Sequence, residues 1–593
     1  MIGYFIVFFL GFLFFTFPGI LIIRSFHQIN LLSKLIATIF LSLGFWVCMS
    51  SYFSYVHLPL NYTSLILQLI FVFYFVKYEL NNTVRWFRKS KLNGEFKKIP
   101  IQYYILLFFC LIYCLPYLFI VIPPGCDTSM HGYITRLIIN SNGLPHSYYP
   151  ILPVDYFGSY SAGYHIITAL VCGVNVSYLR YAINFISIIV YPLTLLAFVF
   201  FFKIFFSEKT AIYLSIISFG INTTIQGAIE WGGNPTVLSF GFCLFSAGIV
   251  VLAIRNRLSK IFYVSAFSIA SIPLIHAIPA IAFFYITFVG YFFLLFINRD
   301  RIKWVIMNSL ILALFIVLLL LPFILQFKSE NSFELLLMIK NWQNEMMGNH
   351  LTKDFLKNIM VTLDQIKYRI GDPLIIIAGI SIVVMLIFRK LFEAFYITLF
   401  LLIISALIFN YGYWVLPFSE ILYPERVAYF AIICVSLYIG YFLKIVEEKK
   451  YSIMFAKSKF IIYNVIVSIC LCIGMLKIYT TFILSIKNNH IYCTSLTFDS
   501  FEWLNDHTEK NAIIESSYDD VGMWIPTFTN RATTGAHIHF IHIVKHVKDS
   551  LNGAKAPRYI FITNNDKILN REILTTISKR TKVFTNNEIE IYH

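Results

Sequence analysis

The run Pro123-Pro124-Gly125-Cys126-Asp127-Thr128-Ser129-Met130-His131 sets a carboxylate and an imidazole directly after an apolar stretch of membrane length. If the segment is helical, Asp127 and His131 share one face, because residues four apart stack on a helix. A carboxylate so placed can take a proton from an attacking hydroxyl, and an imidazole beside it can donate or accept a hydrogen bond. Further along come Gly143-Leu144-Pro145-His146, Asp155, Tyr160-Ser161-Ala162-Gly163-Tyr164-His165, Glu230-Trp231-Gly232-Gly233-Asn234-Pro235, His276 and Tyr423-Pro424-Glu425-Arg426. Each also has a plainer reading. Asp127 after Pro-Gly suits a turn or a helix N-cap, and His165 suits an interfacial histidine. The Gly-Gly-Asn-Pro run makes a tight turn by itself. His276, between Pro273 and Pro279, marks a broken helix. Arg426 suits a snorkelling anchor.

The elements that must position these residues are membrane helices. Of 593 residues, 59% are hydrophobic and only 13% charged, and the mean hydropathy is +0.75. No ordinary soluble globule has that composition. The net charge of +16 collects in short connections between apolar runs, so it reads as membrane topology and not as a nucleic-acid footprint. Most of the 10 cysteines lie inside apolar runs, without metal-type spacing in a polar context; Cys126 and Cys493 are the two expected to be exposed. The first apolar run, from Ile2 to Ile23, lacks a basic leader and a small-residue cleavage site, and reads as a retained helix.

At about 20 apolar residues per crossing, some fourteen spans are expected, approximately 2–23, 35–55, 60–77, 101–122, 181–206, 211–228, 235–254, 261–275, 277–297, 304–326, 373–388, 391–409, 427–445 and 460–485. The connection from Lys77 to Lys98, with seven Lys and Arg residues, is expected to be cytoplasmic. Alternation from there puts every short basic cluster inside: Arg24 and Lys34, Lys203 and Lys209, Arg255 to Lys260, Arg299 to Lys303, Arg389 and Lys390, and Lys444 to Lys450. The phasing requires that 161–175 does not cross. Residues 123–180 then form one outward loop with a re-entrant or interfacial stretch, and all the candidate residues face the same side. The tail from 486 to 593 alternates polar and apolar residues over strand lengths, as in Ala512 to Glu515 and Tyr559 to Thr563, with helix-like stretches such as Ser500 to Asp506 between. A small α/β domain outside the membrane is expected there.

Taken together, these residues resemble the polytopic glycosyltransferases of the GT-C class, which use polyprenyl-phosphate-linked sugars on the outer face of the membrane. Three features carry the resemblance. Asp127 matches the acid near the start of the first large external loop. Gly143-Leu144-Pro145 and Tyr160-Ser161-Ala162-Gly163-Tyr164-His165 match a Gly-x-Pro and an aromatic-x-x-Gly-x-His element. Phe501-Glu502-Trp503-Leu504-Asn505-Asp506, with Trp524-Ile525-Pro526 and Asn530-Arg531, looks like the small extracytoplasmic domain that often follows the helices. The resemblance implies a mainly α membrane bundle with a C-terminal α/β domain, divided as an N-terminal extension (1–100), a GT-C-like core (101–485) and an extracytoplasmic domain (486–593). It implies an inverting transfer from a polyprenyl-phosphate sugar to a glycan, lipid or protein acceptor, with Asp127 as general base. Arg426 is the first choice for holding the leaving phosphate, with His276 and His131 as further donors. Asp155, His165, Glu230, Asn234 and Glu425 are assigned to binding substrate.

The sequence also departs from that class. Cys126-Asp127-Thr128-Ser129 offers one carboxylate where many members carry Asp-x-Asp. No cofactor is therefore called for, while a divalent cation is compatible. The Trp-Trp-Asp-Tyr-Gly kind of signature of oligosaccharyltransferases is absent, which disfavours en bloc transfer to asparagine. Two alternatives are a lipid-linked glycan polymerase or ligase and a polytopic lipid or glycan transporter. The first would gather catalytic Arg and His in 327–372, where no Arg precedes Arg369. The second would show mid-membrane charge pairs and pseudo-symmetric halves, and the sequence displays neither.

Overall fold

A computed structural model describes residues 2–24, 30–81, 100–153, 157, 160–329, 360, 363–364, 366–368, 370–409, 422, 424–448, 465, 468–469, 472–484, 493–517, 520–537, 551, 553–564 and 577–593. Ten helices among them are long and apolar enough to cross a membrane. Three shorter apolar helices, Ser259–Ile275, Asp372–Ile387 and Cys472–Leu484, fall on further expected spans. The expected span 211–228 is instead two helices, Glu208–Ile221 and Thr223–Trp231. The chain turns between them at Asn222, whose side chain accepts the Ile225 N–H and caps the second helix. The stretch expected not to cross contains the 10-residue helix Gly163–Cys172, about 15 Å long at 1.5 Å per residue and half of what a bilayer core requires. Outward-facing Phe284, Phe288, Phe292 and Phe296 form an i, i+4 stripe on the Ala277–Ile297 helix, an apolar surface suited to lipid and not to water.

The helix ends sort into two sets. At one end the basic clusters of different connections meet. Arg24 pairs with Glu79, Lys203 with Glu208, and Asn30 Nδ2 donates to Glu208 at 2.8 Å. Thr210 Oγ1 donates to Glu447 at 2.9 Å, Arg255 Nη1 to the Ile204 carbonyl at 3.2 Å, and Arg301 Nη1 to the Arg255 carbonyl at 3.1 Å. The Asp127, Trp231, His276 and Arg426 segments meet at the other end. For these described segments, the grouping obtained by counting charges is that of the folded chain. From the first hundred residues, the Leu31–Tyr55 helix reaches into the bundle so closely that a Cβ on Gly44 would lie 2.9 Å from the Phe267 carbonyl oxygen.

The tail is an α/β unit. Its sheet has the order β2-β1-β3-β5-β4, with β1 Ile513–Glu515, β2 Ala532–Thr533, β3 Arg558–Thr563, β4 Lys582–Thr585 and β5 Ile589–Tyr592. β1 runs parallel to β2 and β3, and β5 antiparallel to β3 and β4. The helix Ser495–His507, closed at its start by a Thr494/Thr497 capping box, stacks Phe501 against Phe561 of β3. The 3₁₀ turn Val521–Trp524 and short helix Ile525–Thr529 lie against the Cys126–Ser141 helix. There Thr527 Oγ1 donates to the Ser129 carbonyl at 3.1 Å, Arg136 Nη1 to the Thr527 carbonyl at 3.3 Å, and Asn140 Nδ2 to Asn530 at 2.8 Å. Burial pushes the Arg136 guanidinium down to about 10, leaving it charged at neutral pH as a donor to those carbonyls.

Gly132 permits this approach, since a Cβ there would lie 2.7 Å from Thr527 Oγ1 and 3.0 Å from the Trp524 ring. Gly132→Val is expected to weaken tail docking by about 1–3 kcal/mol, the usual cost of overpacking. Limited proteolysis should then release the tail earlier than from the parent protein. Equal release rates would show that this contact does not hold the tail.

Candidate active site

The acid sits where a helix begins. The helix Cys126–Ser141 starts from Gly125 at φ 106° and carries Asp127 in its first turn, where the exposed N–H groups and the helix dipole favour negative charge. Pressed onto that turn is the end of the Thr223–Trp231 helix, closed by Gly232 at φ 88°. A Cβ on Gly125 would lie 2.4 Å from the Gly232 nitrogen, and one on Gly232 would lie 2.4 Å from Thr128 Oγ1. Two glycines facing each other thus let two backbones touch, and this is the structural use of the Trp-Gly-Gly-Asn-Pro run.

Asp127 is 6% exposed. Its Oδ1 lies 3.0 Å from Nε2 of His537 and 3.7 Å from the Cys126 thiol sulfur, which is 3.8 Å from the Trp231 carbonyl. The ligand atoms of Cys126, Asp127 and His537 all lie within 4.8 Å of one another. The segment carrying His537 is held by its own carbonyl, which accepts from Tyr133 Oη at 2.9 Å. Sequence spacing does not connect His537 to Asp127, because 410 residues separate them. The signal that could have found it is a histidine cluster, His537, His539, His542 and His546, four of the 14 in the chain.

One turn along the same helix, His131 Nδ1 meets His165 Nε2 at 3.1 Å, so one nitrogen carries the proton and the other accepts. His165 belongs to the Gly163–Cys172 helix. Burial, with the neighbouring His131 adding, holds its imidazole well below the ordinary histidine range. Tyr160 faces it at 5.5 Å between ring centroids. Burial raises the Tyr160 phenol well above its usual value, and both the Asp127 carboxylate and the Arg426 guanidinium act on it. Tyr160 therefore lies within electrostatic reach of the acid and the cation together.

The cation enters at the break between Ser259–Ile275 and Ala277–Ile297, where His276 caps both helices. Arg426 Nη1 lies 3.2 Å from His276 Nε2, and its guanidinium covers the Trp231 ring at 5.1 Å. His276 Nδ1 is also 3.3 Å from the Ile278 nitrogen. The Ile278 N–H donates to Nδ1 as the helix cap, so both ring nitrogens face donors, and a neutral imidazole can accept from only one of them at a time.

Other expected residues fall elsewhere. Asn234 is buried and donates to Ser187 at 3.0 Å, so it ties the turn to the Leu179–Phe202 helix. Glu230 is exposed at the end of its helix. Asp155 lies outside the described residues, as do the Glu425 side chain and most of the 327–372 loop. The two cysteines expected to be exposed are not. Cys493 is fully buried and Cys126 half-buried, because the packed tail covers both regions.

No family model matches the chain, and no curated protein matches it. Among solved structures it is similar to the Archaeoglobus fulgidus oligosaccharyltransferase, at 14% identity and a TM-score of 0.46, over 78% of this chain and 68% of that one.

Gly232→Ala should cost more than the roughly 1–3 kcal/mol of a strained backbone alone, since the added Cβ meets backbone and hydroxyl atoms as well as an unfavourable φ. A drop in Tm beyond that of the same change at Gly227, where a Cβ meets nothing within 4 Å, checks this. His165 gives a pH dependence. Its folded-state pKa is depressed, so the unfolded chain binds more protons below about pH 6.5, and stability falls as pH drops from there toward the folded value. The melting temperature should decline between pH 7.5 and 5.5, and His165→Gln should flatten the slope.

Proposed function

We propose that the chain is a membrane glycosyltransferase that moves a sugar from a polyprenyl-phosphate carrier onto a hydroxyl of a glycan, lipid or protein acceptor at the outer face of the membrane. The observation that carries this reading is the meeting of a buried carboxylate, an arginine and several imidazoles at the end of the apolar bundle opposite its lysine-rich end. A donor with a phosphate at headgroup depth and a prenyl tail in lipid needs that combination: a base for the acceptor, a fixed cation for the leaving phosphate, and apolar walls beside both. Leu144, Phe157, Ile166 and Phe323 line a narrow crevice beside Tyr160 and supply apolar walls on that side.

In the proposed step the acceptor oxygen attacks the anomeric carbon as the bond from that carbon to the phosphate oxygen breaks, inverting the centre. The hydroxyl proton passes to Asp127, and the lipid phosphate leaves with the electron pair. Its charge is met by Arg426, whose orientation is set by Trp231 and His276. A phosphate leaving group needs no strong acid. The imidazoles of His131 and His165 form the floor beneath the sugar, and the tail, by its position over the acid helix, is assigned to recognising the acceptor.

The test is transfer from a panel of radiolabelled polyprenyl-phosphate sugars by the reconstituted protein. Asp127→Asn is expected to lower the rate by 10²–10⁴, the usual worth of a positioned base, and Arg426→Ala to lower it comparably, both with the melting temperature of the parent within a few degrees. Undiminished transfer in both variants would rule the assignment out.

A further inference from the structure

We propose that Cys126, Asp127 and His537 form a binding site for a single divalent metal ion of the zinc type, which joins the tail to the helix bundle at the acid. The three donors are a thiol sulfur, a carboxylate oxygen and an imidazole nitrogen, brought within 4.8 Å of one another by two segments far apart in the chain. Bond lengths to zinc of about 2.0–2.3 Å imply donor-to-donor edges of about 3.3–3.6 Å in a tetrahedron. The sulfur-to-oxygen separation is 3.7 Å and the nitrogen-to-oxygen separation 3.0 Å, so shifts of a few tenths of an ångström would close the cage on these two edges.

The donor set selects the ion. Magnesium and calcium demand oxygen ligands, six or more for calcium, and gain nothing from a thiol or an imidazole. Zinc takes sulfur, nitrogen and oxygen together, and with three protein ligands it keeps a fourth position for water or substrate. Surroundings agree with that role. Asp127 and His537 are buried, while Cys126 is only half-buried, which leaves an approach from the thiol side. The Tyr133 hydroxyl fixes the backbone of His537, and the Trp231 carbonyl lies against the thiol. Binding would release the thiol proton, and the resulting thiolate and the carboxylate would balance the charge of the ion. Coordination through Oδ1 uses one of the two carboxylate oxygens, and the proton acceptance proposed above then falls to Oδ2. The metal site does not depend on the transfer reading, because metal content is measured with no sugar donor present.

The competing description is metal-free, with the imidazole and the thiol simply bonded to the carboxylate. Cobalt separates the two. Full-length protein in detergent, stripped with chelator and titrated with Co²⁺, should take up one ion per chain and develop the intense thiolate-to-cobalt charge-transfer absorption together with the visible bands of a tetrahedral site. Zn²⁺ should displace it. Cys126→Ser should abolish the charge-transfer band, His537→Ala should reduce the stoichiometry toward zero, and Cys493→Ser should leave both unchanged. A wild-type protein that folds but gives no charge-transfer band overturns the proposal, as does a band that survives Cys126→Ser. Should either variant lose its monodisperse elution peak, the wild-type spectrum and its displacement by Zn²⁺ decide alone.

Discussion

A carboxylate kept away from water must be met by donors or positive charge, and the arrangement around Asp127 follows from that requirement. Desolvation of an unpaired carboxylate would cost several kcal/mol. The acid is therefore placed in the first turn of a helix, where unpaired N–H groups and the dipole favour it, and an imidazole arrives from the tail at 3.0 Å. Three glycines make this feasible. Gly125 and Gly232 let one backbone lie on another, and Gly132 lets the tail lie on the next turn of the same helix. With larger residues at these positions the walls would stand off and water would enter.

The bilayer supplies the second organising constraint. Helices that must span about 30 Å return the chain to the same end at every second connection, so residues scattered from 125 to 426 gather at one end. Breaks in helices concentrate at that end. Gly232 and His276 each interrupt the helical ladder there, and the broken backbone exposes the groups that the site uses: the Trp231 carbonyl beside Cys126 and the His276 ring beside Arg426. At the other end Arg24, Lys203, Arg255 and Arg301 are engaged with acids and carbonyls, which ties that face together.

Much of this was legible in the chain and some was not, for identifiable reasons. The stretch 161–175, whose helix has only 10 residues, could be set apart from the expected spans by charge alternation alone, because one crossing too many would invert every later basic cluster. Strands at Ile513–Glu515 and Arg558–Thr563 followed from their residue types. The break at Asn222 was hidden because apolar residues continue on both sides of it, and only the capping bond to Ile225 shows where one helix ends. The bond from Asn234 to Ser187 was equally hidden; sequence gives the residue but not the direction it faces within a turn. Cys493 read as exposed since nothing in its neighbours announces that the tail closes over it.

By itself the sequence determined the membrane bundle, the grouping of its connections into two ends, and the membership of Asp127, His131, His165, His276 and Arg426 in one of those ends, because hydropathy and charge act locally and are additive along a chain. Only the tertiary structure decided which of them touch. Contact between Asp127 and His537 depends on the docking of a separate α/β unit through Thr527, Arg136 and Gly132, and no periodicity or spacing encodes a meeting across 410 residues. The acid that the chain announces near its first third is completed by a histidine near its end.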